Sequence, residues 1–505
     1  MVNHRNRYSA LNAITAMGLT IVNGLLGIVV TKFVISSFGS DFNGLNSTAN
    51  QIVNMLLILE GGFTLASNVA LFKPLNDNNL DLVNSILAAT KNKFKKIGLL
   101  FLSIGMVISV VYSFFVKSSL PQELVITVVL MTIVPSAFNL YYATTYRVLL
   151  QGQQKEFVIN IITMLTVGLG HIANVVMIFM HGQMWMVRFN TMIFSFANSL
   201  LIALYVRRKN RFINLKAEPH KEYIKGTNDV MIQKITGVIY NSAPIVFLSV
   251  SSSGGTALAS VYAVYNSIFV MVKSLLHGVI DAPRHSFGQL IAERDREKVY
   301  PVFAQYEFIA FFAIFIMLTT CCTLILPFIK IYTYGITDTN YFDPFIAVMM
   351  VLISTTEMIH IPSGHLINMA GEFKISRNFQ LIGCVVLLIS MITGGSIFGV
   401  YGMLAALLCT AILLAVLEIG YVHIKFFKSG ILNFFKTILP LIVFGFITCF
   451  IEMKLPLTVT GYFKFLIYAI IFVIINTVIG LIVSFIFNRK QLFAMFSRIK
   501  LFIKK

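Results

Sequence analysis

The chain is poor in charge. Asp, Glu, Lys and Arg make up 12% of its 505 residues, about half of the ~25% found in soluble domains. So few charges cannot cover a water-facing surface of this size, which argues against a soluble enzyme. No connection is long enough to hold a soluble domain. There is no glycine-rich phosphate loop of the nucleotide-hydrolase kind, so ATP is not expected to drive this chain directly. No Ser/His/Asp or metal-ligand spacing rises above chance, so no catalytic residue, metal or cofactor is expected. The five cysteines (Cys321, Cys322, Cys384, Cys409 and Cys449) all fall in apolar runs, outside any CxxC or His-paired pattern. They read as small buried apolar residues, with no disulfide framework and no zinc site.

What is present is hydrophobic sequence, 57% of the residues, in long runs. A bilayer core of about 30 Å takes about 20 apolar residues of helix. On that template fourteen spans lie near 10–35, 44–71, 97–116, 124–146, 157–180, 184–206, 230–251, 257–282, 306–329, 343–369, 378–398, 400–423, 432–451 and 465–487. The fold class expected is therefore an all-α membrane protein. Met1 to Arg7 is short and basic, and the run behind it lacks a small-x-small cleavage site. It reads as a retained first span, not a signal peptide.

The formal charge of +19 would point to nucleic acid in a soluble protein. Here the loops hold it. With a cytoplasmic N-terminus, 30 of the 39 Lys and Arg fall in inner segments, and the outer loops hold only Lys117, Lys330, Lys454 and Lys464. That asymmetry follows the positive-inside rule and places both termini in the cytoplasm. No nucleic-acid partner is needed, although anionic lipid headgroups would be attracted.

The longest hydrophilic connection, Arg207 to about Lys225, divides the first twelve spans into six and six. The expected organisation is a lobe over 1–206, a basic linker over 207–229, a second lobe over 230–424, and two further spans with a basic tail over 425–505. Ser36-Ser37-Phe38-Gly39 and Glu60-Gly61-Gly62 in the first half are loosely echoed by Ser251-Ser252-Ser253-Gly254 and His277-Gly278 in the second. A repeat of six spans keeps its membrane orientation, and such repeats enclose a cavity between the halves.

A charge in hydrocarbon costs roughly 2.5–3.5 kcal/mol on insertion scales, so each one asks for a reason. Lys273, His277, Asp281 and Arg284 are spaced four, four and three, on one helical face. They read as the polar wall of a water-filled pathway; the alternative is mutual neutralisation with snorkelling. Glu357 and His360, followed by Pro362, Gly364 and His365, suit coupling to H+ or Na+, or else a buried packing bond. Asn46, Asn50 and Asn54 form a stripe ahead of Glu60. The amides would contact sugar hydroxyls or bond neighbouring helices, and Glu60 is a candidate for an ion pair across the halves with the Lys273 region. Lys32, Arg188 and Lys234 lie near span ends, where snorkelling is the default reading. His171 with Asn174 reads as a packing pair, Pro135, Asn139 and Tyr142 as a kinked polar face, and Trp185 as an interfacial anchor.

Three stretches make the pattern familiar. They are Ser37-Phe38-Gly39-Ser40-Asp41-Phe42-Asn43-Gly44-Leu45 with Leu59-Glu60-Gly61-Gly62-Phe63, then Leu149-Leu150-Gln151-Gly152-Gln153-Gln154-Lys155, and Phe398-Gly399-Val400-Tyr401-Gly402-Met403-Leu404-Ala405-Ala406. With them the chain resembles the bacterial polysaccharide repeat-unit flippases of the multidrug/oligosaccharidyl-lipid/polysaccharide (MOP) exporter superfamily. It departs from their pattern with Glu60 in place of Asp, and at Ser40-Asp41-Phe42. The resemblance implies two six-helix lobes in a MATE-like V plus two C-terminal helices. It implies alternating-access transfer of an undecaprenyl-pyrophosphate-linked oligosaccharide across the bacterial cytoplasmic membrane, for capsule, O-antigen or exopolysaccharide. The implied partners are that lipid-linked substrate, membrane lipids, and the polysaccharide polymerase and chain-length machinery. Lys273, Arg284 and Lys32 would be the basic groups meeting the pyrophosphate. The alternatives are a cation-coupled multidrug exporter of the same superfamily, or a flippase for another lipid-linked precursor such as lipid II or teichuronic acid. A membrane-embedded polymerase or ligase would need a longer outer loop than any here.

Overall fold

The computed structural model describes residues 2–219, 228–252, 254–281, 291, 296–455, 457 and 459–503. Every regular element among them is helical. The α-helices are α1 (Val2–Leu56), α2 (Phe63–Asn76), α3 (Leu80–Phe115), α4 (Gln122–Phe138), α5 (Thr144–Gly152), α6 (Glu156–Phe179), α7 (Met184–Lys209), α8 (Asn228–Val250), α9 (Gly255–Ile280), α10 (Arg296–Tyr332), α11 (Pro344–Met369), α12 (Phe373–Gly420), α13 (Leu432–Glu452), α14 (Tyr462–Phe487) and α15 (Arg489–Ile503).

Eleven helical segments are long and apolar enough to cross a bilayer. Two of them, Arg7–Glu60 and Phe373–Phe426, have 54 residues each, about 80 Å of helix and far more than one crossing needs. Each is interrupted at a glycine with non-helical geometry, Gly39 (φ 85°, ψ 168°) and Gly399 (φ 60°, ψ −133°). Each supplies two passes. With the 23-residue α8 the described residues hold fourteen passes, in the places expected from the sequence. Large apolar side chains such as Ile14, Leu65, Phe114, Val176, Ile389 and Phe463 are exposed, which suits lipid and not water.

Two expectations need correction. The second span is not one helix over 44–71. The chain tightens to a 3-10 turn at Leu57–Glu60, and Gly61 and Gly62 then adopt left-handed φ values of 55° and 74° before α2 begins. Two successive left-handed residues break the ladder where a side chain would be strained. The cysteines are all free thiols, but only Cys321 is buried; Cys322, Cys384 and Cys449 are half-buried and Cys409 is exposed.

The chain divides into two compact units, Met1–Ala263 and Val264–Lys505. The division falls inside α9. The first unit is built on Phe42, Leu45, Phe94, Phe101, Val128 and Ile133, with a second cluster around Leu71, Leu87, Tyr146, Leu149 and Ile202. The second unit packs Phe303, Phe311 and Phe315 of α10 against Met358 of α11, Ile419 of α12, Leu441 of α13 and Val483 of α14. The starts of α3 and α11 are capped by polar side chains: Asn79 accepts from Leu82 N, and Asp343 from Phe345 N and Ile346 N, with Pro344 in the first turn. These caps satisfy donors that a helix start leaves free. Within the spans Thr132, Thr166 and Thr410 return their hydroxyl protons to the carbonyl four residues back, so these three donors do not face hydrocarbon unused.

Candidate functional site

The second unit holds a ladder of polar side chains between α9, α10, α11 and α12. Its first rung is Lys273 of α9, whose Nζ lies 2.8 Å from Glu357 Oε2 of α11. One turn along α11, His360 Nδ1 lies 2.8 Å from Glu418 Oε2 of α12. The other Glu418 oxygen accepts from Gln380 Nε2 at 3.2 Å. Gly364 makes this rung fit, because a Cβ there would lie 2.7 Å from Glu418 Oε2. Further along, Asp281 is 3.4 Å from both His277 Nδ1 and His365 Nε2. The Tyr306 hydroxyl of α10 donates to Ile280 O at 2.8 Å and meets His365 Nδ1 at 3.2 Å. A further pair, His423 Nε2 and Glu307 Oε1 at 3.1 Å, is completely enclosed and lies against the rings of Tyr300, Phe303 and Phe434.

The two groups that the sequence offered separately, the α9 stripe and the Glu357/His360 pair, are therefore one network. Lys273, His277 and Asp281 share a face as expected, while Arg284 lies outside the described residues. Glu418, Glu307, His423 and Gln380 were missed. Glu418 stands inside the apolar run 400–423, and the cost of an intramembrane charge was signal enough to single it out.

The first unit arranges its polar groups differently. Glu60 ends the 3-10 turn at the break in the second span, and Lys234 of α8 approaches its Oε2 at 3.4 Å. Its ion-pair partner within the unit is Lys234. Arg188 does not snorkel. It is buried, with Nε on Asn46 Oδ1 at 2.5 Å, Nη2 on Asn46 O at 2.5 Å and Nη1 on Asn50 Oδ1 at 3.0 Å. Asn46 and Asn50 hold a neighbouring helix through this guanidinium, the second of the two roles open to the stripe. Asn54 bonds Gln51 Oε1 at 3.1 Å, which also accepts from Ser242 Oγ at 2.9 Å. Lys32 is half-buried on α1.

The quoted sequence stretches have physical work in this unit. Asp41, just past the Gly39 break, accepts from the Ser119 backbone N at 3.0 Å, from the Ser119 hydroxyl, and from Thr256 Oγ1 at 2.5 Å. Asn43 Nδ2 bonds Ser260 Oγ at 2.7 Å. At the other stretch, Asn12 Nδ2 donates to Gln154 O at 3.0 Å and Asn12 Oδ1 accepts from Phe157 N at 2.7 Å, starting α6. After Pro135 the fourth span loosens into a π turn at Asn139–Ala143, the kinked polar face read from Pro135, Asn139 and Tyr142. Among the described residues no cluster of His, Cys, Asp and Glu has the arrangement of a metal site.

No family model and no curated protein matches the sequence. Solved structures do. An inward-facing multidrug resistance MATE family transporter of the MOP superfamily aligns with 88% of this chain and 100% of its own, at TM-score 0.64 and 15% identity. The lipid II flippase MurJ, in an inward closed conformation, aligns with 95% of this chain and 99% of its own, at TM-score 0.67 and 14% identity. A MOP superfamily transporter from Pyrococcus furiosus, described as having a binding pocket of reversed polarity, aligns with 89% of this chain and 97% of its own, at TM-score 0.57 and 13% identity. The chain has the fold of these transporters. That fold, with its many apolar passes, makes it a multi-pass membrane protein.

Proposed function

We propose that the protein is a MOP superfamily flippase that moves an undecaprenyl-pyrophosphate-linked oligosaccharide repeat unit across the bacterial cytoplasmic membrane, with both termini in the cytoplasm. The observation that supports the reading is the charged face of α9, with Lys273 inside a span and paired to Glu357. The shared fold supports a transporter of this superfamily. The physical case is that a sugar chain cannot cross hydrocarbon and needs a polar route, while a polyprenyl tail can remain in lipid. The α9 face supplies such a route, and Lys273 is its cation for a diphosphate. In this arrangement Glu357 holds Lys273, so cargo and carboxylate compete for one ammonium. Carboxylate–imidazole pairs at Glu418/His360 and Asp281/His365 are the coupling groups, taking up H+ or Na+ as the cycle turns. The polymerase and chain-length machinery would receive the product.

The buried His360–Glu418 pair equally serves a second reading, a cation-coupled multidrug exporter. Deletion of the gene followed by lipid extraction separates the two. The flippase reading expects repeat units trapped on the inner leaflet and loss of capsule, O-antigen or exopolysaccharide. Trapped lipid II or a teichuronic precursor would change the cargo and keep the reaction. Normal surface polysaccharide with altered drug efflux would overturn it.

A further inference from the structure

Away from the polar ladder, the first unit has a cavity of about 380 Å³ beside the end of α7, whose lining includes Lys91, Tyr146, Arg207, Arg211, Asn214 and Lys216. Its size is within the range of ligand sites. Four of the lining residues are cations and none is a carboxylate. Lys95, Arg207 and Lys216 all stand near enough to Lys91 to repel its charge.

Arg207 is held in place by its side chain, and the backbone that carries Arg211 and Lys216 is tied down. Arg207 Nε donates to Tyr146 Oη at 2.8 Å, and its guanidinium lies 5.6 Å from the ring centre of Tyr142 and 5.3 Å from that of Tyr146. The segment after α7 is lashed down by side chains from elsewhere. Asn84 of α3 donates to Phe212 O at 3.0 Å and accepts from Asn214 N at 2.9 Å. Gln153 Nε2 donates to Asn210 Oδ1 at 2.8 Å. Asn214 Oδ1 accepts from Lys216 N at 3.0 Å. Phe212, Ile213 and Leu215 pack on the Leu71–Tyr146 cluster. A positive-inside signal needs only a number of Lys and Arg near the helix ends. It does not need them ordered around one cavity, where they repel each other. An anion in the cavity removes that repulsion and uses the order.

We propose that this pocket binds the phosphate of an anionic membrane phospholipid. The pocket stands at the C-terminal end of α7, a helix long enough to cross the bilayer, and Lys91 joins it from within α3 ahead of that helix's apolar stretch; basic residues flanking apolar spans belong at the headgroup boundary. Arg207 and Arg211 supply planar forks suited to phosphate oxygens, Lys91 and Lys216 supply point charges, and Ile213 and Leu215 give the glycerol end of the lipid an apolar wall. Basic pockets between membrane helices take acidic headgroups in this way. The assignment is independent of the cargo proposed above.

The test uses the full chain in neutral detergent with phosphatidylcholine and a tenth of cardiolipin or phosphatidylglycerol, read by native mass spectrometry. The wild type should retain the acidic lipid over phosphatidylcholine. Each cation removed should weaken retention about fivefold, so K91Q/R211Q/K216Q should lose roughly a hundredfold. Arg211→Gln alone, at an exposed position, reports the fivefold step should the triple variant fail to fold. R208Q/K209Q removes two cations from the same helix end outside the cavity and should retain the lipid. Unchanged retention in R211Q, or equal loss in R208Q/K209Q, would overturn the site. Full displacement of the lipid by millimolar inorganic pyrophosphate would assign the cavity to a soluble phosphate instead.

Discussion

Lys273 and Glu357 are 84 positions apart in the chain and 2.8 Å apart in space, and this contact joins the α9 stripe to α11. Both side chains are mostly buried, at 18% and 14% exposure. Removing one member of a fully buried pair costs about 3–5 kcal/mol, and residual exposure brings the expectation here to about 2 kcal/mol. Lys273→Ala should therefore lower the thermal unfolding temperature in detergent, and Glu357→Ala in the same chain should recover much of the loss. A double variant no more stable than Lys273→Ala would deny the coupling. For transport, the proposed role predicts that Lys273→Ala accumulates lipid-linked repeat units at normal protein level.

Arg188 gives a second prediction. Its guanidinium makes three bonds to Asn46 and Asn50, and a planar fork cannot be replaced by a single ammonium. Arg188→Met and Arg188→Lys should both destabilise by about 2–3 kcal/mol, the range for orphaned buried polar groups and lost charged bonds. Thermal unfolding of the three proteins decides it. Full stability of Arg188→Lys would mean that charge alone matters there.

Gly44 is fixed by close approach. A Cβ on it would lie 1.7 Å from Thr256 O, so any side chain pushes the start of α9 away from α1. A cysteine pair replacing Asn43 and Ser260, whose side chains are 2.7 Å apart, should crosslink readily in a chain freed of its native cysteines. Adding Gly44→Ala should reduce the crosslink several-fold. An unchanged yield would show that the two helices do not meet as described.

The fold was readable because lipid allows few solutions. A spanning chain must satisfy its backbone internally, so long apolar runs translate directly into helices. The site was less readable, for reasons that differ by residue. Lys273, His277 and Asp281 were visible because their spacing is a property of one helix. Glu418 was hidden because its partner His360 is 58 positions away, and no period in the sequence relates two helices. Arg188 was misread because its place near a span end is the same for a snorkelling and an anchored arginine; only the packing of Asn46 against it tells them apart. The break at Gly61-Gly62 is written in the sequence as a glycine pair, but the apolar residues on both sides have the composition of one continuous span.

The His360–Glu418 rung leads to a test in which a glycine reports on a carboxylate. Gly364 has no room for a methyl group, since Cβ would sit 2.7 Å from Glu418 Oε2. Gly364→Ala must therefore displace Glu418 from His360, at a cost of about 1–3 kcal/mol typical of overpacking. Shortening the carboxylate side chain removes the obstacle. Gly364→Ala should be damaging in the wild type and nearly neutral in Glu418→Ala, a non-additivity expected of residues in direct contact. If the pair also carries the coupling ion, Gly364→Ala and Glu418→Gln should each block accumulation of surface polysaccharide, and combining them should add nothing. Equal destabilisation by Gly364→Ala in both backgrounds would show that something other than Glu418 requires glycine at that position.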